Sequence, residues 1–220
     1  MCLLCFFVAI FFAMKIQDAY TRWATTYDSD RNLTRDLDRR VTESTLGDRC
    51  YQNILELGCG TGKNTALLER IGHKVLALDF SPGMLKQAKT KVRTDHVFFV
   101  RADLTKPWPA KSGLFDLAVC NLVLEHIEEL DPVFEQASQS LKAGGEFFVS
   151  ELHPFRQYQG TQANFRNEQE TVEIDAFVHH LSDFTEAARE SGLSLKTMKE
   201  WWHEEDQNKP PRLVSFLFEK

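Results

Sequence analysis

The stretch Ile54-Leu55-Glu56-Leu57-Gly58-Cys59-Gly60-Thr61-Gly62-Lys63-Asn64-Thr65 decides the fold. A short apolar strand, 53–57, runs straight into glycines at every second position. A helix follows over 64–71, with Ala66, Leu67, Leu68 and Ile71 apolar. Glycines let the backbone turn tightly and let a ligand lie against it with no Cβ between. The helix behind them aims free N–H groups at that ligand. Two known glycine loops fail by residue. A dinucleotide loop needs its third glycine where Lys63 stands. A phosphate loop would need a glycine at Leu57 and a Ser or Thr at Asn64.

Working outward, 74–79 is a buried strand ending on Asp79, about 20 residues past the glycines. A carboxylate there sits beside the glycine loop and can accept from two ribose hydroxyls. Ser81 caps the next helix, with Pro82 in its first turn. Strands follow over 96–100 and 115–120. Asp131 is expected to cap a helix running to Leu141, with Pro132 at its first position and Gly144-Gly145 after its end. A fifth strand covers 146–151. Five strands alternating with helices imply a parallel sheet covered on both faces, an α/β fold. Upstream, 14–25 reads as a helix with Ile16, Ala19, Tyr20 and Trp23 on one stripe, and 31–46 as a mostly polar helix. Downstream, 153–179 has no clear period, 181–191 is a helix, and strands over 194–202 and 212–218 flank a polar loop.

These stretches resemble the class I S-adenosylmethionine-dependent methyltransferases. Ile54 to Thr65 is similar to that family's first motif, E/D-x-G-x-G-x-G. Val100-Arg101-Ala102-Asp103-Leu104 ends the third strand with an acid, where the family reads the adenine amino group. Phe115 to Asn121 followed by Leu122-Val123-Leu124-Glu125-His126 is similar to the fourth strand and the loop beneath the methionine moiety. The resemblance implies a Rossmann-like, doubly wound seven-stranded sheet, mostly parallel with a reversed last strand. It implies one domain over 14–220, with a helical cap over 14–50 and a lid insertion over 153–180. The segment 179–201 is loosely similar to the small-molecule branch near the ubiquinone-pathway and malonyl-carrier methyltransferases.

With S-adenosyl-L-methionine as the implied cofactor, contacts are expected from Glu56, Gly58, Cys59, Gly60, Gly62 and Asn64. Further contacts are expected from Asp79, Phe80, Met84, Asp103, Leu104 and Asn121. The implied reaction is in-line transfer of a methyl group to a small-molecule acceptor, with oxygen or carboxyl acceptors favoured. Positioning supplies much of the rate, and a base is optional. Candidate bases lie on loops at the carboxyl ends of strands, in the order His153, His126, His180. Tyr20, Trp23, Tyr27, Tyr158 and Trp201 are candidate pocket walls. Glu125 and His126 match part of a metal pattern of the ubiquinone branch, but Leu122 stands where another acid is needed, so no metal is assigned. The other readings are a cofactor-binding protein without activity and a tRNA-modifying enzyme.

Composition bounds these readings. The 220 residues are enough for one large domain, and the net charge of -6 disfavours a nucleic-acid partner. The five cysteines are odd in number and irregular in spacing. Cys2 and Cys5 have no second ligand pair, so neither a disulfide framework nor zinc is expected. The apolar run 1–13 is shorter than the roughly 20 residues a bilayer-spanning helix needs, and it has no basic leader. It is expected to lie outside the fold, with the native start at Met14. A cytoplasmic monomer or homodimer without stable membrane insertion is expected.

Overall fold

The computed structural model describes residues 16–161, 164–166, 171–174 and 176–220. The apolar run 1–13 and part of the expected lid therefore lie outside the described residues. The chain opens with α1 (Ile16–Trp23) and α2 (Leu33–Leu46), then alternates. The succession is β1 (Tyr51–Leu57), α3 (Thr65–Ile71), β2 (Gly72–Asp79), α4 (Pro82–Lys91), β3 (Val97–Arg101) and β4 (Phe115–Asn121). After a 3-10 turn at Leu124–His126 come α5 (Asp131–Ser140), β5 (Leu141–Leu152) and α6 (Pro154–Tyr158). A small hairpin, β6 (Asn164–Arg166) with β7 (Thr171–Glu173), precedes α7 (Leu181–Glu190), β8 (Ser194–Trp201) and β9 (Leu213–Glu219).

Seven strands form one sheet in the order β3-β2-β1-β4-β5-β9-β8. The first five are parallel, and β9 is antiparallel to both β5 and β8. The sheet is thus mostly parallel with a reversed last strand. The strand order turns back between β1 and β4, and open α/β sheets bind ligands at such a switch point. Alternation along the strands sends Leu55, Leu57, Ala118, Cys120, Phe147 and Val149 to one face, where α5 and α7 cover them. Ile54, Leu117, Val119 and Phe148 go to the other face, under α2, α3 and α4. Phe134, Phe147, Phe216 and Phe218 are fully buried in the first core, each contributing up to about 3 kcal/mol by transfer from water.

Ser81 caps α4 as expected: its Oγ accepts from the Met84 N–H, and Pro82 stands at the first position. The cap expected of Asp131 is absent. Leu130 holds that position without a side-chain bond, and Asp131 lies one residue inside the helix. The strand β5 also begins earlier than expected. Leu141 pairs with Phe115 before an irregularity at 142–145, where Gly144 has φ +73°, and regular pairing resumes from Glu146. The glycine pair therefore marks a bulge inside a strand rather than a helix end.

The polar loop between β8 and β9 is closed by one buried acid. Asp206 takes a two-pronged bond from Arg212 at 2.7 and 2.6 Å and a third contact from Arg156 at 3.0 Å. Arg156 also donates to the carbonyls of Pro210 and Pro211, which pins α6 to the start of β9. Burial alone would raise the Asp206 carboxyl, but the Arg212 guanidinium, helped by Arg156, offsets that and holds it down to about 2. Asp206→Ala leaves two largely buried guanidinium groups without their anion, and we expect it to cost about 3–5 kcal/mol at neutral pH. The wild-type advantage is present above about pH 4 and is lost as pH falls toward about 2. Chemical denaturation of both proteins at pH 7 and pH 3 checks this. An equal gap at both values would contradict it.

Candidate active site

Asp79 ends β2 almost fully buried, and its two oxygens are both engaged. Oδ2 accepts the Gly60 N–H at 2.8 Å and Oδ1 accepts the Ser81 N–H at 2.8 Å. One carboxylate thus ties the glycine loop to the cap of α4. Burial pushes its pKa up to about 6, and the N–H groups of Ser81, Gly60 and Phe80 limit the rise. The three loop glycines all have positive φ but do different work. A Cβ on Gly58 would lie 2.2 Å from Val123 Cγ2, so this glycine lets the loops after β1 and β4 touch. A Cβ on Gly62 would press on Ala88 of α4 at 3.2 Å. A Cβ on Gly60 would meet nothing within 4 Å, so its backbone faces open space.

That space is a cleft of about 720 Å³ with its mouth included. Gly58, Gly60, Asp79, Phe80, Met84 and Asp103 line it, together with Leu104, Asn121 and His126. The cleft continues into a smaller, polar recess, where Glu56, Cys59 and Asn64 meet Arg35 and Asp38. Asp38 is buried and receives Nδ2–H bonds from Asn64 at 2.8 Å and Asn121 at 2.7 Å. Its carboxyl is pushed up by burial, and those amides oppose the rise. The amide oxygens of Asn64 and Asn121 are buried without a partner. Two acceptors left bare in a recess suit an ammonium group, because a buried polar atom without a bond costs stability. The cradle at Gly60, the carboxylate of Asp79 and these two oxygens fit the nucleoside and amino-acid ends of S-adenosylmethionine.

A third cavity, about 810 Å³ with its mouth included, lies beside the cleft and contains Tyr20, Trp23 and Tyr27. Tyr27 and Leu122 belong to all three spaces, so these spaces meet there. Leu122 has φ +54°, a conformation that costs a non-glycine residue roughly 1–2 kcal/mol. The strain is held by neighbours. The Leu122 N–H bonds to the Ser150 carbonyl, and Glu151 Oε1 accepts the next two N–H groups, from Val123 and Leu124, each at 2.9 Å. Burial raises Glu151 to about 8, against those two backbone bonds. From the far side, His179 Nε2 lies 2.8 Å from the Ile127 carbonyl, and the Phe177 N–H donates to the Glu125 carbonyl.

The three candidate histidines separate. His126 lines the cleft, with Nε2 at 2.7 Å from the Tyr20 hydroxyl. His153 is 1% exposed and borders none of the three spaces. Its Nδ1 accepts from the Phe155 N–H to cap α6, so Nε2 carries the proton toward Glu200 at 2.9 Å. Burial lowers its pKa and Glu200 works against that, so it is a neutral structural link between α6 and β8. His180 pairs with Tyr158 on the surface, away from the cleft. Trp201 donates to Ser215 Oγ on β9 and also lies outside the three spaces. Sequence reasoning passed over Arg35, Asp38 and Leu122. The first two had a signal: Arg35, Asp38 and Thr42 recur on one face of α2, and all three are buried. Among the described residues no group of three metal-ligating side chains occurs. Nor is any helix there long and apolar enough to cross a membrane.

Comparison with known proteins agrees with this geometry. Residues 55–149 match the family model described as a methyltransferase domain. An uncharacterized methyltransferase of Emericella nidulans is 27% identical over 81% of this chain and 75% of its own length. A malonyl-[acyl-carrier protein] O-methyltransferase of Xylella fastidiosa is 30% identical over 66% of this chain, which spans half of that relative's length. The fold is shared with the N-methyltransferase NodS of Bradyrhizobium japonicum, solved with S-adenosyl-L-homocysteine. That pair has a TM-score of 0.72 at 16% identity, covering 94% of this chain and 99% of the other. The matched methyltransferase domain and these relatives support a class I S-adenosylmethionine-dependent methyltransferase, whose cofactor the glycine loop fits.

Proposed function

We propose that this protein transfers a methyl group from S-adenosylmethionine to an oxygen of a small-molecule acceptor. The observation that carries the reading is the open face of Gly60 beside Asp79, continuous with the bare amide oxygens of Asn64 and Asn121. When bound, the sulfonium supplies a methyl carbon open to in-line attack. The chain's own residues position the partners and exclude water. Asp79 accepts from the ribose hydroxyls, while Phe80, Met84 and Leu104 enclose the base and Asp103 reads its edge. Asn64 and Asn121 accept from the ammonium group. Leu122 and Tyr27, at the junction of the three spaces, hold the line of transfer. The acidic overall charge favours a small acceptor over RNA.

Calorimetry with S-adenosylmethionine and NAD tests the cofactor half, with binding of the first and not the second expected. A metabolite screen with methyl-labelled cofactor tests the acceptor half, and label appearing only in RNA would contradict it.

Two glycine variants should part company. Gly58→Ala combines a left-handed backbone with a clash at Val123, so it should lower the melting temperature markedly. Gly60→Ala meets no atom and costs roughly 1–2 kcal/mol of backbone strain, yet its methyl enters the cleft. It should fold and lose cofactor affinity. Thermal melts and cofactor titrations on the same samples check both.

Acid should act in opposite senses on binding and on stability. Asp79 must be ionised to accept from both hydroxyls, so affinity should fall as pH drops below about 6. Asp79→Ala should weaken binding by about 2–4 kcal/mol at neutral pH, and Asp79→Asn by less, with the acid limb gone. The cofactor-free fold should instead become more stable between about pH 8 and about pH 5. Burial raises Glu56 and Glu151 to about 8, Glu125 to about 7 and Asp79 to about 6, so folding takes up protons across that range. Melts across that range, with and without cofactor, decide it.

A further inference from the structure

Two side-chain amides in the polar recess are held in one orientation by an acid on α2. Asp38 is 4% exposed and borders the recess. Its Oδ2 accepts from Asn64 Nδ2 at 2.8 Å, and its Oδ1 accepts from Asn121 Nδ2 at 2.7 Å. Asn64 lies between the glycine loop and α3, and Asn121 ends β4. Asp38 therefore joins the helical cap to the carboxyl ends of two central strands. One turn further along α2, Thr42 is fully buried. Its hydroxyl donates to the Asp38 carbonyl at 2.9 Å and accepts from Asn121 Nδ2 at 3.0 Å.

The chemistry of these partners fixes both amides. An ionised carboxylate accepts hydrogen bonds and cannot donate. The Thr42 hydroxyl spends its only proton on the Asp38 carbonyl, so toward Asn121 it too can only accept. Turning either amide over would set its oxygen against the carboxylate and forfeit a charge-assisted bond. Each amide thus gives its N–H to Asp38 and turns its oxygen away, and these are the two buried oxygens without a partner. The same N–H groups favour the charged carboxylate against its burial.

A recess lined in this way discriminates between ligands. It offers two acceptors and, behind them, a negative charge. An ammonium brings three N–H donors and the opposite charge. A ligand with no donor there leaves both oxygens bare in a closed site, which costs affinity. Arg35 and Lys63 also border the recess, with Lys63 paired to Asp36 and Arg35 lying over the Tyr27 ring. Their charge suits the carboxylate carried beside the ammonium, so a zwitterionic end meets a lining of both signs.

We propose that Asp38 is the positioning residue for the cofactor's amino-acid end: acceptor-only, it fixes the amides of Asn64 and Asn121 with their oxygens toward the recess, and so makes the protein select ligands that carry an ammonium there. The inference rests on the cofactor reading above.

Calorimetry on the full chain tests it with three probes that share the nucleoside and the sulfur. They are S-adenosylhomocysteine, the same molecule without its amino group, and methylthioadenosine, which lacks the whole amino-acid end. The wild-type protein should bind the first about 100-fold more tightly than the second. Asp38→Asn is close to isosteric, but its amide offers one acceptor to two N–H groups, so one bond is lost or one amide turns over. It should weaken S-adenosylhomocysteine about 10- to 100-fold and methylthioadenosine less than about twofold. A merely structural Asp38 would weaken both probes alike. Combining Asp38→Asn with Asn64→Asp returns one carboxylate and its donor to the pair, and should restore the preference for S-adenosylhomocysteine over methylthioadenosine. Equal loss of both probes in folded Asp38→Asn, an unchanged S-adenosylhomocysteine affinity in it, or wild-type protein indifferent to the amino group would each overturn the proposal. Should Asp38→Asn fail to fold, the double variant carries the test, and a folded double variant without that preference overturns it. Wild-type protein that binds none of the probes would instead remove the cofactor reading on which the inference rests.

Discussion

Asp79 is where the strands, the glycine loop and the cap come together. Its carboxylate receives one N–H from Gly60 and one from Ser81. The first bond holds the loop in the shape that presents Gly60 to the cleft. The second fixes the start of α4, and the helix α1 rests on that corner. Gln17 donates to the Phe80 carbonyl, Thr21 bonds to Ser81, and Gly83 lets the Thr21 backbone come close. A charged-group hydrogen bond contributes roughly 1.5–3 kcal/mol, so two of them offset part of the cost of burying the acid.

The loop after β4 is built on a parallel plan with a different acid. Glu151 reaches across from β5 and takes two consecutive N–H groups, which stabilises the turn that Leu122 enters at positive φ. The loops after β1 and β4 then meet through Gly58 and Val123. Strain at Leu122 is tolerated because both sides of it are held, and it falls at the point shared by all three spaces.

The sheet was legible because buried parallel strands read as short apolar runs, and glycines mark their ends. Asp79, which ends β2, was found by its spacing from the glycine loop, and Asp103, two residues past β3, by the family resemblance; both border the cleft. Helix capping at Ser81 followed from Ser-Pro, but Asp131-Pro132 carries much the same signal and the cap was not there. The difference lies in tertiary context, since Leu130 is buried and sets where α5 begins. The contributions of α2 were hidden for another reason. Arg35 and Asp38 look like a solvated helix face, and only the packing of α2 over the carboxyl ends of the strands turns them inward. His153 misled in the opposite way. A histidine just after a central strand has the right address for chemistry, but here both ring nitrogens are consumed by α6 and β8.

The residues common to the three spaces have a thermodynamic consequence. Tyr27 and Leu122 cannot adjust to one occupant without altering the walls offered to the other. Any two ligands held in adjoining spaces are therefore energetically linked. Whatever factor the first imposes on the affinity of the second, the second must return to the first. The cap, carrying Tyr20, Trp23 and Tyr27 on one short segment, is the element through which that exchange passes. Its stiffness sets how much of one ligand's binding energy the other can feel.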